Sequence, residues 1–398
     1  MKNNTLFFFL LITIQLTFGQ GQANGSPGGI ESRIIDQNIA TEKHSVHLVQ
    51  RVSGLRQPWS VAFLPDDRYL ITLKGGDLII VDQEGRRTVS GLPQVSAVGQ
   101  GGLLDVILHP DFSENQRIYF TYSSGRGNAL GTTLGTAVLT SPSFEPRLSN
   151  VQVLWNTPDE YLSSGGQHFG SRVIFGSDGY VYFTIGDRGT MERSQNPADP
   201  AGTIIRLRPD GTIPDNNPFG ESQVTNARGQ TIRPLPEVFA YGTRNAQGIA
   251  MDAQGRIWFH EHGPRGGDEI NLLVPGANYG WPAVTHGVNY SGTRISDRTT
   301  MPGVTDPVLH WTPSIAPSGF VFYQGAAFSG WNNSAFVGAL AGQHVRRVEI
   351  QNNRVIEQEV MFSGTLGRIR DVRVNNQGYL YILTDGPNST LYRLEPAD

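Results

Sequence analysis

The chain has 398 residues, no cysteine, 48 glycines and a formal net charge of −4. The absence of cysteine excludes disulfides, thiol catalysis, thiolate metal centres and a bacterial lipoprotein anchor, and the small negative charge provides no basic field for nucleic acid. Glycine at this level with 24 prolines, and without a collagen period, is typical of a turn-rich all-β protein. Lysine occurs only as Lys2, Lys43 and Lys74, so Schiff-base chemistry is not expected.

The N-terminus has the features of an export signal. Lys2 supplies a positive charge, residues 6–18 form an apolar run, and Gly19 provides a small residue for cleavage. The run is shorter than a bilayer-spanning helix requires, and an uncleaved anchor is the alternative. We therefore expect a signal peptide at 1–19, a flexible tail at 20–40, and an exported protein, periplasmic or secreted, with no membrane span after signal removal.

A turn rich in Gly, Asp or Asn, followed by a short aromatic and β-branched run, recurs along the rest of the chain. The aromatic anchors of these runs are Tyr69, Tyr119, Tyr182, Trp258, Phe336 and Tyr381. One turn and one strand cannot bury an apolar face alone, so this repetition predicts a β-propeller over 41–398, and the length fits six blades. Long intervals leave room for top-face insertions near 190–236 and 275–315, where ligands bind. Two stacked β-sandwiches are the alternative.

Polar residues that could carry chemistry occur in glycine-rich loops beside the repeat strands. His168, in Gly166-Gln167-His168, is either a general base or a structural histidine, because histidine titrates near neutral pH and the glycines permit close approach. Arg244 and Asn245 lie between glycines. There an arginine presents a forked donor to a planar anion, or it simply occupies a surface turn.

The densest polar run covers residues 260–271, with the sequence HEHGPRGGDEIN. Its two histidines are two residues apart, which excludes a helical H-E-x-x-H zinc site. Carboxylates, an asparagine and turns that expose carbonyl oxygens favour a hard cation such as calcium, although the EF-hand pattern is missing. Further along, Arg368 and Arg370 alternate on an expected strand and share one face, which is costly unless a carboxylate or a ligand anion meets them.

Together with the runs at residues 99–105, 184–189 and 278–282, the polar runs described above occur in a fixed order along the chain. In this order they resemble the motifs of the soluble pyrroloquinoline-quinone (PQQ)-dependent sugar dehydrogenases. The most similar subgroup is that of the aldose sugar dehydrogenases in the glucose/sorbosone dehydrogenase family. The resemblance extends from about residue 51 to the C-terminus. It rests on six motifs, which lie at residues 99–105, 166–168, 184–189, 242–245, 263–271 and 278–282.

The resemblance implies a six-bladed propeller with PQQ over its central channel, in agreement with the repeat count. It implies that His168 takes the proton from the anomeric hydroxyl of an aldose while hydride passes to the quinone, which gives a lactone. The implied cofactor contacts are Gln100, Arg244, Asn245, Tyr290, Arg368 and Arg370. The implied calcium ligands are the carbonyls of Gly263 and Pro264 for the ion that bridges protein and cofactor, and Glu269 with the backbone of Tyr279 for a second ion.

The chain departs from the pattern of the glucose-specific relatives at one position. Those relatives place a lysine near the cofactor in the segment corresponding to 336–345, whereas this chain reads Ala341-Gly342-Gln343-His344. Gln343 or the local backbone is therefore expected to take that contact. The resemblance also implies aldose sugars and an electron acceptor as partners. Long substrate-walling insertions are not evident, which favours broad aldose specificity.

Two other functions remain open at this point. A calcium-dependent sugar-lactone hydrolase would share the acidic loops but would not need Arg244, Arg368 and Arg370 to converge. A non-catalytic propeller that binds glycan or protein would keep the fold without the cofactor.

Overall fold

The computed structural model describes residues 28–140, 145–220 and 222–397, and the expected signal peptide at 1–19 lies outside them. Across these described residues no helix has both the length and the apolar character needed to cross a bilayer. The described part of the chain contains one short helix, α1 (Phe112–Asn115), and three 3₁₀ segments, at Asp159–Tyr161, Met191–Gln195 and Ser329–Trp331. All other regular structure in these described ranges is β-strand.

Six antiparallel sheets on consecutive stretches of chain form six blades. The chain enters through β1 (Arg33–Ala40) and β2 (Ser45–Leu55). The first blade comprises β3 (Pro58–Phe63), β4 (Tyr69–Leu73), β5 (Leu78–Asp82) and β6 (Gly85–Thr88). The second comprises β7 (Leu103–Leu108), β8 (Arg117–Arg126), β9 (Ala129–Thr140) and β10 (Arg147–Asn156). The third comprises β11 (Val173–Phe175), β12 (Val181–Ile185), β13 (Thr203–Leu207) and, after the hairpin β14 (Val224–Thr225) and β15 (Thr231–Ile232), β16 (Val238–Tyr241).

The last three blades follow the same order. The fourth comprises β17 (Ala246–Met251), β18 (Ile257–Glu261), β19 (Asp268–Leu272) and β20 (Leu309–Trp311). The fifth comprises β21 (Pro317–Phe322), β22 (Ser334–Ala339), β23 (His344–Gln351) and β24 (Arg354–Met361). The sixth comprises β25 (Ile369–Val374), β26 (Leu380–Thr384) and β27 (Ser389–Pro396), and β2 completes it by pairing with β27.

The blades form a closed ring. The first strands contact one another in the cycle β3, β7, β11, β17, β21 and β25, and β25 returns to β3. These strands therefore surround the axis. An apolar cluster fills the interface between each pair of adjacent blades. The pairing of β2 with β27 joins the two ends of the ring, so that no blade is left with an open inner face.

The aromatic anchors predicted from the sequence all lie in the second strand of a blade. They are buried, with side chains at most 4% exposed: Tyr69, Tyr119, Tyr182, Trp258, Phe336 and Tyr381. The repeat-based prediction of a six-bladed propeller is confirmed, and the alternative of two stacked sandwiches is wrong.

The N-terminal tail needs a correction. The sequence predicts a flexible tail over 20–40, whereas Arg33–Ala40 forms β1 and pairs antiparallel with β2. The physical reason is that β2 would otherwise present a row of unpaired backbone groups at a sheet edge, and β1 satisfies them. The composition of the tail gives no sign of this pairing.

Three long connections depart from the simple four-stranded pattern. The first joins β12 to β13, the second joins β13 to β16 and includes the hairpin β14–β15, and the third joins β19 to β20. The first two correspond to the insertion predicted near 190–236, and the third to the one predicted near 275–315. The first and third are bonded to each other, since Nε2 of Gln195 donates to Oδ1 of Asn278 at 3.0 Å and to the carbonyl of Trp281 at 2.8 Å.

Candidate active site

A cavity of about 330 Å³ opens at one end of the propeller axis. All six blades contribute to its wall through the residues that precede their first strands, and four contribute through the residues that follow their second strands. The first group includes Gln57, Gln100, Phe169, Asn245, Ala316 and Arg368, and the second is Lys74, His262, Leu340 and Asp385. Because equivalent loops of every blade meet here, the ring brings together side chains that are far apart in sequence.

His168 directly precedes the cavity-lining residue Phe169, is not itself among the residues that line the cavity, and has a left-handed backbone conformation with φ of 54°. Its amide donates to Oε1 of Gln100 at 2.8 Å, and its neighbour Phe169 lines the cavity wall. The two loops approach very closely, since a Cβ on Gly99 would lie 2.1 Å from the carbonyl oxygen of Gly166. Glycine at position 99 is thus a steric requirement of this contact.

The imidazole of His168 is oriented by Asp187, which lies two residues after the third blade's second strand. Nδ1 of His168 lies 2.6 Å from Oδ1 of Asp187. That carboxylate also accepts hydrogen bonds from the amide of Gly189 at 2.7 Å and from Nε1 of Trp281 at 2.9 Å. Burial acts to raise the pKa of Asp187, but the hydrogen bond and charge of His168 outweigh it and lower that pKa below its ordinary value. An ionised Asp187 holds the proton on Nδ1, so Nε2 of His168 is available as a base.

Arg188 fixes the loop that carries His168. Its side chain is 2% exposed and donates to the carbonyls of Gly165, at 2.7 Å, and of Gln167. The guanidinium carbon lies 3.4 Å from the centre of the Phe169 ring. Burial lowers the pKa of Arg188 to about 9. A buried cation bonded to loop carbonyls restricts the backbone around His168.

Four of the predicted cofactor residues line the cavity: Gln100, Asn245, Arg368 and Arg370. Sequence left open whether a carboxylate or a ligand meets the two arginines, and the structure shows a carboxylate. Nε of Arg368 and Nη2 of Arg370 each lie 2.9 Å from the carboxylate of Asp385. One carboxylate therefore serves two guanidinium groups, which leaves one positive charge in excess.

Arg244 lies between the cavity and the predicted calcium loop. Its Nη1 donates to the carbonyls of His262 at 3.1 Å and of Gly263 at 3.3 Å. Its backbone amide donates to the carboxylate of Glu261. The guanidinium thus supports the loop wall and is not itself among the residues that line the cavity.

Two predicted contacts are not brought to the cavity. Tyr290 lies in the connection between β19 and β20 with 73% of its surface exposed. Gln343 is exposed in the turn between β22 and β23, and its carbonyl accepts from the amide of Gly364. The residue of that turn that does line the cavity is the apolar Leu340. Both side chains lie on turns that project them into solvent, which sequence spacing does not reveal.

The loop that holds Gly263 and Pro264 is tightly closed and tied to the cavity wall. A Cβ on Gly263 would lie 2.1 Å from the carbonyl oxygen of Gly266, so no side chain fits. Asp268 accepts from the amide of Gly263 at 2.8 Å and from the amide of Ala316, a wall residue, at 3.1 Å. Burial raises the pKa of Asp268 to about 6.

Two carboxylates face each other behind this loop. Glu261 on β18 and Glu269 on β19 are directly opposite in the sheet register, with only 4% and 8% of their surfaces exposed. Burial raises the pKa of both, that of Glu269 to about 8, and the charge of Glu269 further raises the pKa of Glu261. Oδ1 of Asn271 is buried beside them without a hydrogen-bond partner, and its Nδ2 lies 3.3 Å from Glu269.

Calcium at this place needs main-chain oxygens. In the part of the chain that the structure describes, no group of three or more His, Cys, Asp or Glu side chains could hold a metal ion. Tyr279 is held nearby by its amide, which donates to the carbonyl of Tyr241, and by the edge-on packing of its ring on Phe259 at 4.7 Å. Its backbone and the carbonyls of the 263–264 loop are thus held in fixed positions.

The comparison with protein-family models decides the relationship. The model of the Glucose/Sorbosone dehydrogenase family matches residues 55–393. The chain belongs to this family. The resemblance inferred from the six sequence motifs is thereby confirmed.

Individual members of the glucose/sorbosone dehydrogenase family agree with this placement. The aldose sugar dehydrogenase YliI of Escherichia coli K12 is 38% identical over 86% of this chain and 91% of its own length. Quinoprotein glucose dehydrogenase B of Acinetobacter calcoaceticus is 26% identical over 84% of each chain. The crystal structure of the apo form of the soluble aldose sugar dehydrogenase of Escherichia coli, 36% identical, superposes with a TM-score of 0.80 over 88% of this chain and 99% of that one.

Four residues of the candidate site were not assigned from the sequence: Lys74, Asp187, Glu261 and Asp385. Asp187 and Glu261 lie in or beside runs that the sequence analysis singled out, so a signal was present without a role. Asp385 directly follows β26 in an Asp-Gly turn, and no sequence feature distinguishes it from other aspartates in turns. The pairing of β25 with β26 places Ile369 opposite Thr384 and so brings Asp385 to Arg368 and Arg370.

Proposed function

We propose that the protein is a PQQ-dependent dehydrogenase that oxidises aldose sugars at the anomeric carbon to lactones. The observation that carries this proposal is the His168–Asp187 pair beside a cavity whose wall holds Arg368 and Arg370. The names of the relatives support it, since one is an aldose sugar dehydrogenase and another a quinoprotein.

The cavity residues fit a planar tricarboxylate such as PQQ. The volume of about 330 Å³ lies within the range of roughly 300–1,000 Å³ that is usual for ligand cavities. Arg368 and Arg370 offer forked donors to carboxylates. The side-chain oxygens of Gln100 and Asn245 accept hydrogen bonds from the backbone amides of His168 and Gly170, respectively. Their NH₂ groups remain available to a ligand. Bound PQQ would therefore accept hydrogen bonds from residues of several blades.

The chain's own residues perform the proton chemistry. When bound, PQQ supplies the two-electron oxidant and accepts the hydride from C1 of the sugar. Nε2 of His168 takes the proton of the C1 hydroxyl, and Asp187 stabilises the imidazolium that results. Loss of one hydride from C1 and one proton from its oxygen leaves the carbonyl of the lactone. The Arg188 contacts keep His168 in place during this transfer.

Calcium would be held by oxygen donors of the fourth blade. The residues proposed are the carbonyls of Gly263 and Pro264 for one ion, and Glu269 with the backbone of Tyr279 for a second. The unpartnered Oδ1 of Asn271 beside two buried carboxylates fits a hard cation, which prefers oxygen ligands. Calcium would supply positive charge that balances the carboxylates and polarises an oxygen of the bound cofactor.

The test is a dye-linked assay of the metal-free apo-protein across a panel of aldoses. We expect reduction of the acceptor dye only when PQQ and Ca²⁺ are both added. Equal activity of PQQ-free, EDTA-treated protein would contradict the proposal. Hydrolysis of sugar lactones without PQQ would identify the lactone hydrolase instead, and sugar binding without turnover would identify the non-catalytic propeller.

We also propose that the protein is exported, on the basis of the sequence of residues 1–19 alone. N-terminal sequencing of the mature protein from its host should begin near Gln20. A mature chain that starts at residue 1 or 2 would contradict export by this signal.

A further inference from the structure

Lys74 occupies a fixed position in the cavity wall. It directly follows β4, and its backbone amide donates to the carbonyl of Gln57 at 2.9 Å while its carbonyl accepts from Leu103 at 3.2 Å. Its Nζ donates to the carbonyl of Gly99 at 3.0 Å. The side chain is half-buried and lines the same cavity as Gln100. The ammonium group is therefore held beside the loop that contacts His168.

Backbone hydrogen bonds place Lys74 and the two arginines on one continuous arc of the wall. The amide of Asp385 donates to the carbonyl of Arg368, and the amide of Gln57 donates to the carbonyl of Gly386, each at 2.8 Å. The amide of Lys74 then donates to Gln57. The arc thus leads from the sixth blade through the first to the second.

The charges on this arc are not balanced. Arg368 and Arg370 share the single carboxylate of Asp385. Lys74 has no carboxylate partner among the described residues, whereas Lys43 is paired with two glutamates, Glu349 at 3.2 Å and Glu357 at 3.6 Å. Three cations and one carboxylate leave two positive charges in excess. In a partly enclosed site such an excess attracts an anion more strongly than in bulk water.

We propose that Lys74 is an anion-binding residue of the cavity, whose ammonium group bonds a carboxylate of the ligand. This rests on the proposed function, in which the ligand is PQQ. The backbone carbonyl of Gly99 orients the ammonium without neutralising it, so two of its three donors remain for the ligand. Lys74 therefore determines cofactor affinity from the first blade, as the arginines do from the sixth.

The scarcity of lysine allows a direct test on the wild-type protein. Apo-protein supplied with Ca²⁺ is acetylated with an amine-reactive ester in the presence and in the absence of saturating PQQ. The acetylated peptides are then quantified by mass spectrometry. We expect PQQ to slow acetylation of Lys74 at least tenfold and to leave Lys43 unchanged. Acetylation of Lys74 at the same rate with bound PQQ would overturn the inference.

Substitutions test whether Lys74 bonds PQQ directly or is only shielded by it from the reagent. In calorimetric titration with PQQ and Ca²⁺, we expect Lys74→Met to raise the Kd about tenfold, equivalent to ~1.4 kcal/mol. Lys74→Arg should bind within about threefold of wild type, and Lys43→Met should bind equally. The melting temperature of the apo form should be unchanged in all three.

The outcomes distinguish the inference from the function on which it rests. If the wild-type protein binds no PQQ, the proposed function fails and the inference falls with it. If wild type binds PQQ and Lys74→Met binds it equally, only the inference is overturned. Weak binding by both Lys74→Met and Lys74→Arg, with lowered melting temperatures, would show a structural role for the bond to Gly99 and would also overturn it.

Discussion

Two clusters of arginine and aspartate adjoin near the propeller axis, one with three of its four members fully buried and one lining the cavity. The interior cluster consists of Asp105, Arg172, Asp371 and Arg373 from three blades. Arg172 lies 2.9 Å from Asp371, and Arg373 lies 2.6 Å from Asp105 and 2.9 Å from Asp371. Two cations meet two carboxylates, so this cluster is neutral.

The cavity cluster has the same residue types and a different balance. Arg368 and Arg370 share Asp385, Lys74 on the same wall has no carboxylate partner among the described residues, and Arg368 is 49% exposed at its side chain. The two clusters are in contact, since Nη2 of Arg172 donates to the carbonyl of Arg370 at 3.1 Å. Balanced, buried charges therefore hold the blades together, whereas unbalanced charges at an open cavity are available to a ligand.

The largest effect is expected at the base beside the cavity, where loss of one side chain should abolish function without affecting structure. His168→Ala should lower kcat about 10²–10⁴-fold, the usual contribution of a positioned general base. Asp187→Asn should also lower kcat, because Nδ1 loses the acceptor that fixes its proton. Steady-state kinetics of the PQQ- and calcium-loaded protein measures both.

PQQ affinity and apo-form melting temperature are the controls for these variants. Both should match wild type in His168→Ala, since the imidazole bonds only Asp187 among the described side chains. Wild-type turnover in His168→Ala would show that the histidine is structural and that the base lies elsewhere.

The interior cluster should respond in the opposite way, with a loss of stability. Arg172→Met leaves Asp371 and Asp105 with one cation between them, and breaking a buried ion pair from one side costs about 3–5 kcal/mol. Chemical denaturation of the apo form gives the change in the free energy of unfolding. Arg126→Met is the matched control, because its pair with Asp159 is exposed on both sides and should contribute at most about 1 kcal/mol. Equal free energies of unfolding for the two variants would show that the interior cluster stabilises the fold no more than an exposed ion pair does.

The cavity arginines should show a ligand-dependent effect. Arg368→Ala or Arg370→Ala should weaken PQQ binding roughly tenfold to a hundredfold, because each charge-assisted hydrogen bond contributes about 1.5–3 kcal/mol. Either variant leaves Asp385 with one guanidinium partner, so the apo-form melting temperature should barely change. Calorimetric titration with PQQ decides it. Unchanged affinity in both variants would remove the pair from the binding site.

The sequence was sufficient for the fold because the repeat is carried by local pattern. Each aromatic anchor, such as Tyr119 or Trp258, lies in a short strand after a turn, and six such units specify six blades. His168, Arg368 and Arg370 were also identified from the residues around them. Local pattern and family motifs therefore predicted the blades and the chemistry-bearing loops.

The partners of these residues could not be predicted in the same way. Asp385 reaches Arg368 because β25 pairs with β26, and Asp105 reaches Arg373 across 268 positions of sequence because the ring closes. The exposure of Tyr290 and Gln343 depends on how their turns project from the ring. The pairing of β1 with β2 depends on an edge that exists only once the sixth blade is complete. Charge balance is a property of the assembled wall, so Lys74 had no signal in the sequence.

A buried pair of carboxylates lies in the fourth blade. Glu261 and Glu269 face each other, and neither forms an ion pair with a cation among the described side chains, so they should behave as a ligand site and not as a structural pair. We expect Ca²⁺ to raise the melting temperature of metal-free wild type and to have little effect on Glu269→Gln. Thermal denaturation with EDTA or with added Ca²⁺ measures this.

The metal-free protein should also show a pH dependence whose sign follows from the raised pKa of Glu269. That pKa is about 8 in the folded state against an ordinary value of 4.5. Below pH 4.5 both states hold the proton, and between 4.5 and 8 only the folded state does, so wild type progressively loses stability as pH rises through this range.

The variant Glu269→Gln has no group that loses this proton, so its stability relative to wild type should grow from pH 4 to pH 8. The trend should be weaker than the raised pKa of Glu269 alone would give, because Glu261 remains to share a proton. Glu114→Gln, at an exposed carboxylate, should show no such trend. A constant difference between Glu269→Gln and wild type across this range would show that the pair is already balanced without metal.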